Sequence, residues 1–432
     1  MAAVARAAVQ PAPAQSRLLM SGNDAVARAV WEAGVRVAAA YPGTPATEML
    51  EVISTYPDLY AEWSVNEKVS LEVAFGAAMA GSRSFCAMKH VGMNVASDAL
   101  MTLTVTGVEG GLVIAVADDV GMSSSQNEQD SRFWGRFAHI PVFEPADSQE
   151  AYDMTRAAYR LSEAFKVPVL LRLTTRICHV KGRVELSAPE THEPGGFTKD
   201  PRRWVMVPGN AKPRLPLMFE REAALAAEAE ASPLNRLEAG SDRRIGFVTS
   251  GPAYMHVREA FPDAPVLKLG FSYPPPMAKV RELAAQVETL VVVEETEPLL
   301  ENELRAAGIR CEGKNLLPRL LHLGGIAAGK AAAAALRGVV FLTCGLHHLP
   351  QMPHGGAAVR LGQLPGPDPA GRAVGLRREQ HLHPVAVAGG LHRDVVHGPG
   401  HATALDRHRP VEHLADHERL GRAAFEATHV QQ

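Results

Sequence analysis

Apolar residues between positions 18 and 186 alternate between the spacing of amphipathic helices and that of buried strands. In residues 22–35, alanine and valine side chains fall on one helical face, and Gly34 ends the pattern. Residues 110–119 and 167–175 are continuous apolar runs, which are typical of strands covered on both faces. Strands separated by helices predict an α/β fold with a doubly wound parallel sheet.

The same pattern divides the chain into five parts. Residues 1–17 are rich in Ala and Pro and are expected to be a disordered extension, while residues 18–186 form the first α/β domain. Residues 187–243 break the alternation and predict a linker with one Ala- and Glu-rich helix. Strand and helix patterns resume in residues 244–320, which predicts a second, smaller α/β domain. Residues 321–432 are a low-complexity tail.

The tail has an unusual composition. From residue 341 to the end it contains 12 of the 18 histidines but no Ile, Tyr or Trp. So little branched and aromatic surface cannot offset the entropy of ordering a chain, so we expect this segment to be disordered. Its histidines lack the ordered helix and the carboxylate of a zinc motif, so we predict no metal ligands there.

Charge and cysteine usage exclude several classes of protein. The net charge of −3 indicates no nucleic-acid partner. No apolar run approaches the roughly 20 residues that cross a bilayer, so we predict no contact with a membrane. The four cysteines are scattered without CxxC spacing, which disfavours disulfides, zinc and iron–sulfur sites and fits a reducing, cytoplasmic location.

Two features carry candidate chemistry in the first domain. Glu67 opens a predicted helix after AEWSVN. On residue pattern alone, the leading interpretation is an exposed first-turn acid that the helix dipole favours. Residues 41–45, YPGTP, form a stiff loop after a strand, where open α/β sheets usually bind ligands. A rigid turn without a function is the alternative.

Two further segments are predicted to be site loops. Residues 89–94 read KHVGMN, and residues 118–132 read DDVGMSSSQNEQDSR. Both combine polar side chains with glycines, which allow the backbone to approach a ligand closely. A solvated surface loop is the alternative for the second segment, whose candidate ligand contacts are Ser124, Gln126 and Asn127.

Several long segments of the chain carry a recognisable pattern. It runs nearly unbroken from about residue 18 to 185 and includes GNDAVARAVWEAGVRVAAAYPGTPATEMLE, WSVNEKVSLEVAFGAAMAG and GGLVIAVADDVGMSSSQNEQDSRFWG. It resumes in IGFVTSGPAY, VLKLGFSYPPP and LVVVEETEPLLENELRAAGI. In the same order, these segments resemble the alpha subunit of indolepyruvate ferredoxin oxidoreductases, which are thiamine-diphosphate-dependent 2-oxoacid oxidoreductases.

This resemblance implies that residues 18–186 are a pyrimidine-binding domain. It also implies that Glu67 is the catalytic carboxylate, which hydrogen-bonds N1′ of the cofactor's aminopyrimidine. By the same resemblance we assign substrate contacts to Thr44, Lys89 and His90. The predicted cofactor contacts are Tyr41, Gly43, Gly92 and Asn94.

The implied reaction is oxidative decarboxylation of arylpyruvates such as indolepyruvate to acyl-CoA, with ferredoxin as electron acceptor. The implied partners are the 2-oxoacid, coenzyme A, a beta subunit and ferredoxin, in a homo- or hetero-oligomer. The implied cofactor is thiamine diphosphate with Mg²⁺, and full members of the family also carry iron–sulfur clusters. This sequence contains neither the glycine–aspartate motif for Mg²⁺ and diphosphate nor the cysteine clusters.

The family pattern stops near residues 320–345. The Gly, Ala, Pro, His and Arg bias beyond that point is what out-of-frame reading of GC-rich DNA would produce, and a truncated natural variant is the alternative. Two other functions stay open. The chain could be the pyrimidine-domain subunit of another 2-oxoacid:ferredoxin oxidoreductase, or a non-catalytic remnant that only binds partner subunits.

Overall fold

The computed structural model describes residues 17–317. The expected N-terminal extension lies outside the described residues except for Arg17, which begins the first strand. The tail at 321–432 lies wholly outside them. Within the described part, the prediction of an α/β fold with a doubly wound sheet and a second, smaller α/β unit is confirmed.

Thirteen strands occur between residues 17 and 317. They are β1 (Arg17–Ser21), β2 (Val37–Ala40), β3 (Tyr60–Trp63), β4 (Ser84–Lys89), β5 (Leu112–Asp118), β6 (Val142–Phe143), β7 (Val169–Thr174), β8 (Lys181–Glu185), β9 (Asn235–Glu238), β10 (Ile245–Ser250), β11 (Val266–Leu269), β12 (Phe271–Tyr273) and β13 (Thr289–Val293).

Thirteen α-helices, and a 3₁₀ turn at Lys212–Arg214, occur in the same range. They are α1 (Gly22–Glu32), α2 (Thr47–Ile53), α3 (Glu67–Met79), α4 (His90–Thr106), α5 (Arg132–Ala138), α6 (Ser148–Phe165), α7 (Thr175–His179), α8 (Pro201–Trp204), α9 (Pro208–Ala211), α10 (Leu215–Ala231), α11 (Ala253–Ala260), α12 (Met277–Ala284) and α13 (Leu299–Ala306).

The main sheet has seven strands in the order β12-β6-β7-β5-β4-β2-β3. All neighbours are parallel except β12, which pairs antiparallel with β6. Every residue of β5 and β7 is buried, because helices cover both faces of the sheet. The apolar runs therefore mark the centre of the sheet.

Side-chain hydrogen bonds cap the N-termini of α3 and α6. Asn66 caps α3, and its side chain accepts a hydrogen bond of 3.0 Å from the backbone N–H of Val69. Asp147 caps α6, and its carboxylate accepts a hydrogen bond of 2.8 Å from the backbone N–H of Glu150, one of the free donors of the first turn.

The second sheet has four strands in the order β13-β10-β11-β9. The first three are parallel, and β9 runs antiparallel to β11. Strand β9 lies inside the segment predicted as a linker, so the second sheet draws on residues before 244. A four-residue strand with alternating polar side chains has too short a pattern to be recognised from the sequence.

One segment predicted to be a loop belongs to regular elements. Residues 89–94 are not a loop, because Lys89 ends β4 and the next five residues form the first turns of α4. Phe271–Tyr273 forms β12 and completes the first sheet at its edge. Its partner, β6, comes from a distant part of the sequence.

No helix between residues 17 and 317 is long and apolar enough to cross a membrane. In the same range, Cys86, Cys178 and Cys311 are buried free thiols. No group of three or more His, Cys, Asp or Glu side chains within it is placed to hold a metal ion.

Candidate active site

The three segments singled out in the sequence lie at one edge of the main sheet. Residues 41–45 follow β2, residues 89–94 follow β4 from its last residue, and residues 118–132 follow β5 in the same way. Strands β2, β4 and β5 are parallel neighbours, so their carboxyl ends are adjacent. The prediction that these segments gather at the carboxyl ends of the strands is confirmed. This is the edge at which open α/β sheets bind ligands.

Glu67 stands at the first position of α3, directly after its cap Asn66. Its exposed fraction is 9%, so it is not the solvated first-turn acid that the simpler interpretation expected. Helix α3 packs against α4, and the ion pair Lys68–Asp98 of 2.7 Å joins the two helices near the same end. Glu67 is therefore a buried carboxylate at the N-terminus of a helix that packs on its neighbour.

Gly92, in the first turn of α4, makes room for that carboxylate. A Cβ atom on Gly92 would lie 2.5 Å from Oε1 of Glu67 and 2.6 Å from its Cγ. Any larger residue at position 92 would therefore displace the Glu67 side chain. Burial raises the pKa of the Cys86 thiol in β4, and the nearby Glu67 carboxylate raises this pKa further.

Hydrogen bonds fix the backbone of the YPGTP loop, and several of its side chains are exposed. Its Gly43 N–H donates to the Thr47 hydroxyl at 2.9 Å, and the side-chain amide of Asn23 donates to the Pro45 carbonyl at 2.8 Å. The Thr44–Pro45 peptide bond is cis. Thr44 is exposed and Tyr41 is 40% exposed, so both face solvent at the sheet edge. They are therefore accessible to a ligand.

Lys89 connects the YPGTP loop to the loop after β5. A Cβ on Gly43 would lie 3.2 Å from Cδ of Lys89, so the lysine stem runs along this glycine. Its ammonium group donates to the Ser124 carbonyl at 3.0 Å. An ammonium has three donors, so further N–H groups are available for a ligand. Asn94, in the second turn of α4, is exposed.

His90 is fully buried, and both of its ring nitrogens have backbone partners. The N–H of Asp119 lies 3.3 Å from Nδ1, and the carbonyl of Asn127 lies 3.1 Å from Nε2. These contacts fit a neutral ring that accepts at Nδ1 and donates at Nε2. His90 thus holds the loop after β5 in place, and its geometry supports a positioning role more directly than the predicted substrate contact.

Asp119 organises the same loop and was not chosen from the sequence. Its carboxylate accepts hydrogen bonds from the N–H of Ser124, at 2.7 Å, and from the hydroxyls of Ser125 and Thr175, at 2.6 and 3.0 Å. Burial alone would raise the pKa of Asp119, but these hydrogen bonds outweigh it and hold the pKa below its usual range. Its place at the carboxyl end of a buried strand was the available signal.

Exposed apolar side chains surround these polar groups along the chain. The segment before Glu67 and the first turns of α4 carry some of them, and the loop after β5 carries another. Such apolar surface on a site face is typical of a region that a ligand or a partner covers. The side chains, with their exposed fractions, are Tyr60 (57%), Trp63 (44%), Val65 (80%), Val95 (47%) and Met122 (48%).

Residues 28–230 match the family described as pyruvate flavodoxin/ferredoxin oxidoreductase, thiamine diphosphate-binding. This part of the chain is similar to that family. The thiamine diphosphate-binding domain so defined contains Glu67, Gly92 and all three site segments. Its last matched residue lies in α10, so the second sheet follows it almost directly.

The chain is also similar to curated proteins named indolepyruvate oxidoreductase subunit IorA. The relative from Methanothermobacter thermautotrophicus is 46% identical over 300 residues, which cover 67% of this chain and 48% of the relative. That from Thermococcus kodakarensis is 41% identical over 327 residues, covering 71% and 50%. The chain therefore spans about half the length of these relatives.

Two more distant similarities support the same fold. The 2-oxoglutarate synthase subunit KorA from Archaeoglobus fulgidus is 23% identical over 343 residues, which cover 70% of this chain and 96% of that subunit. A solved 2-oxoglutarate:ferredoxin oxidoreductase from Magnetococcus marinus superposes with a TM-score of 0.58 at 18% identity, over 71% of this chain and 63% of that one. At this identity the superposition shows the fold alone.

The residues at this edge fit the pyrimidine end of thiamine diphosphate. The fit rests on the buried carboxylate of Glu67, which packs directly against Gly92. By contrast, no cluster within residues 17–317 is suited to Mg²⁺.

Proposed function

We propose that this chain supplies the pyrimidine-binding half of a 2-oxoacid oxidoreductase. The reaction is the oxidative decarboxylation of arylpyruvates, such as indolepyruvate, to acyl-CoA, with ferredoxin as electron acceptor. The observation that carries the proposal is the Glu67 carboxylate at the start of α3, buried against Gly92 within a thiamine diphosphate-binding domain. The identity to indolepyruvate oxidoreductase subunits supports the choice of substrate class.

The residues of this chain have distinct tasks in the proposed site. Bound thiamine diphosphate would supply the nucleophilic carbon and the electron sink for decarboxylation. Glu67 would hold the proton shared with N1′ of the aminopyrimidine, and its burial would keep water from competing for that contact. Thr44 offers a hydroxyl and Lys89 offers N–H groups and a positive charge to the carboxylate of the 2-oxoacid.

The backbone near Gly43 and Gly92, together with Tyr41 and Asn94, forms the remaining cofactor surface. His90 and Asp119 keep the loop after β5 in its position. We assign the binding sites for the diphosphate, Mg²⁺ and the iron–sulfur clusters to polypeptide other than residues 17–317. A beta subunit and ferredoxin complete the proposed assembly, which we place in the cytoplasm.

A second candidate is favoured by the similarity to KorA. The alignment covers 96% of that subunit, so a region of this extent forms nearly a whole 2-oxoglutarate synthase subunit in A. fulgidus. Under this alternative the chain pairs with a separate subunit that binds the diphosphate, and its substrate is another 2-oxoacid.

Reconstitution tests these proposals. The chain is joined to the part of the M. thermautotrophicus subunit that lies outside the alignment, or mixed with the natural partner of a KorA-type subunit. Coenzyme A-dependent reduction of a viologen dye is then followed with indolepyruvate, phenylpyruvate, pyruvate and 2-oxoglutarate. Activity with arylpyruvates in the joined protein supports the first proposal, and activity with the separate subunit supports the second.

Glu67→Gln serves as the matched control in both arms, because any activity that survives it does not come from this site. Absence of activity in every combination, with folding verified, would overturn both proposals in favour of a non-catalytic remnant.

A further inference from the structure

The loop after β5 is attached at its far end to the second α/β unit. Asp130 and Arg132, which close this loop, are both buried, and the Arg132 side chain is fully inaccessible. Arg132 binds both oxygens of Asp130, at 2.9 and 2.5 Å. The pair forms the end of the loop that carries Asp119 and Ser124.

The turn after β13 supplies the other partners of this pair. Arg132 donates to the Glu294 carboxylate at 2.7 Å and to the carbonyls of Glu295 and Glu297 at 2.9 Å each. The Thr296 hydroxyl donates to Oδ2 of Asp130 at 2.6 Å. The backbone N–H of Glu297 also donates to Oδ2 of Asp130 at 3.3 Å, so residues separated by more than 160 positions in sequence are joined by five hydrogen bonds.

Thr296, which makes this contact, has a strained backbone conformation. Its φ angle is 58°, in the left-handed region that branched residues rarely occupy. Such outliers persist only where the surroundings determine them, and they are concentrated at functional sites. The strain and the hydrogen bonds are independent observations on the same turn.

We infer that the 294–297 turn is a clamp that holds the loop after β5 in its site conformation. Thr296 and Arg132 are then positioning residues, which act through Asp130 rather than on the substrate. His90 and Asp119 hold the near end of the loop, and the clamp holds the far end. The relevance of the clamp to catalysis rests on the proposed function, whereas its effect on the loop does not.

The experiment compares hydrogen exchange in the full chain and in three variants. Thr296→Val keeps the branched shape but removes the hydroxyl, and Thr296→Ser keeps the hydroxyl. Thr249→Val is the matched control, because the Thr249 hydroxyl is also buried in the second unit but has no hydrogen-bond partner in the structure.

Exchange of the amides in residues 120–132 is expected to rise about tenfold in Thr296→Val, since a hydrogen bond to a charged group is lost. The amides of β5 and β10 should stay within threefold of the parent chain, and Thr296→Ser and Thr249→Val should leave the loop unchanged. Unchanged loop exchange in Thr296→Val, an equal rise in the strands, the same rise in Thr249→Val, or failure of serine to restore protection would overturn the inference.

A second readout separates this inference from the proposed function. In the reconstituted enzyme, Thr296→Val should lower the viologen-reducing activity about tenfold, and Thr249→Val should not. If no protein shows activity that Glu67→Gln abolishes, the proposed function fails while the exchange result still decides the clamp. If the activity is present and insensitive to Thr296→Val, the clamp has no role in catalysis and that part of the inference is overturned.

Discussion

Each of the two sheets consists mainly of parallel strands, and the two differ at the edge where these strands have their carboxyl ends. In the first sheet this edge is open, with Tyr41 and Met122 40% and 48% exposed beside the buried carboxylate of Glu67. In the second sheet the corresponding edge is closed against the first unit, where Glu294 and Thr296 are 2% and 6% exposed. The same architecture therefore carries the proposed ligand site in one unit and a structural support in the other.

The difference arises from the segments that leave the carboxyl ends of the strands. After β2, β4 and β5 come polar loops and a helix start, which carry the exposed side chains of Tyr41, Thr44 and Asn94. After β11 the chain enters β12, which joins the first sheet beside β6 and brings the second sheet up against it. After β13 the chain enters the 294–297 turn, which contacts Arg132. A ligand-binding edge thus depends on polar groups that are left accessible, not on the sheet alone.

The largest expected effect is on the open edge. In the reconstituted enzyme, Glu67→Gln should lower 2-oxoacid-dependent viologen reduction by about 100- to 10,000-fold, because an amide cannot share its proton in the same way with the cofactor ring. Its free energy of unfolding should fall by no more than about 1 kcal/mol. Glu72→Gln, on the exposed side of α3, is the control. Parent-like activity in Glu67→Gln would remove Glu67 from the role of catalytic carboxylate.

Removing a buried charge at the closed edge should lower the stability of the fold. Arg132→Met leaves Asp130 and Glu294 buried without their cation, so the free energy of unfolding should fall by about 3–5 kcal/mol in chemical denaturation. Arg136→Met removes the ion pair with Glu303, in which the arginine side chain is 55% exposed, and should cost less than about 1 kcal/mol. Equal losses for the two variants would contradict the assignment of the second edge as a support.

A substitution at Gly92 tests whether space at the open edge controls activity. Gly92→Ala should lower activity about 100-fold, since its Cβ displaces the Glu67 carboxylate. Stability should change little, because alanine favours the helix by up to about 1 kcal/mol. Gly76→Ala in α3 makes the same change where no atom lies within 4 Å, and it should keep full activity. Activity retained in Gly92→Ala would show that Glu67 can move without consequence.

The smallest effect concerns the loop that joins the two edges. Because the pKa of Asp119 is held below 3.8 in the folded chain, its carboxylate stabilises the fold above about pH 4. This contribution is lost as the pH falls through the lowered folded-state pKa. Asp119→Asn should therefore be less stable than the parent at pH 7, and the difference should shrink below about pH 4. Denaturant titrations from pH 3 to 7 measure it, and a difference independent of pH would be inconsistent with the assignment.

The order of residues along the chain was enough to establish the parts of this protein that depend on local pattern. Continuous apolar runs mark β5 and β7 because a strand covered on both faces needs no polar side. The segments after β2, β4 and β5 could be placed at one edge because parallel strands point the same way. Glu67 could be proposed as the catalytic carboxylate from a helix start and a family resemblance, because both depend on residues that are adjacent in the sequence.

Features that depend on distant contacts became visible only in the folded chain. The space beside Glu67 exists because α4 brings Gly92 against the first turn of α3. The contact between Asp130 and Thr296 joins residues 166 positions apart, and the short β9 and β12 are strands because neighbouring strands complete their hydrogen bonds. Local propensity contains no record of such partners, since the free energy of each contact exists only after the chain has brought both sides together.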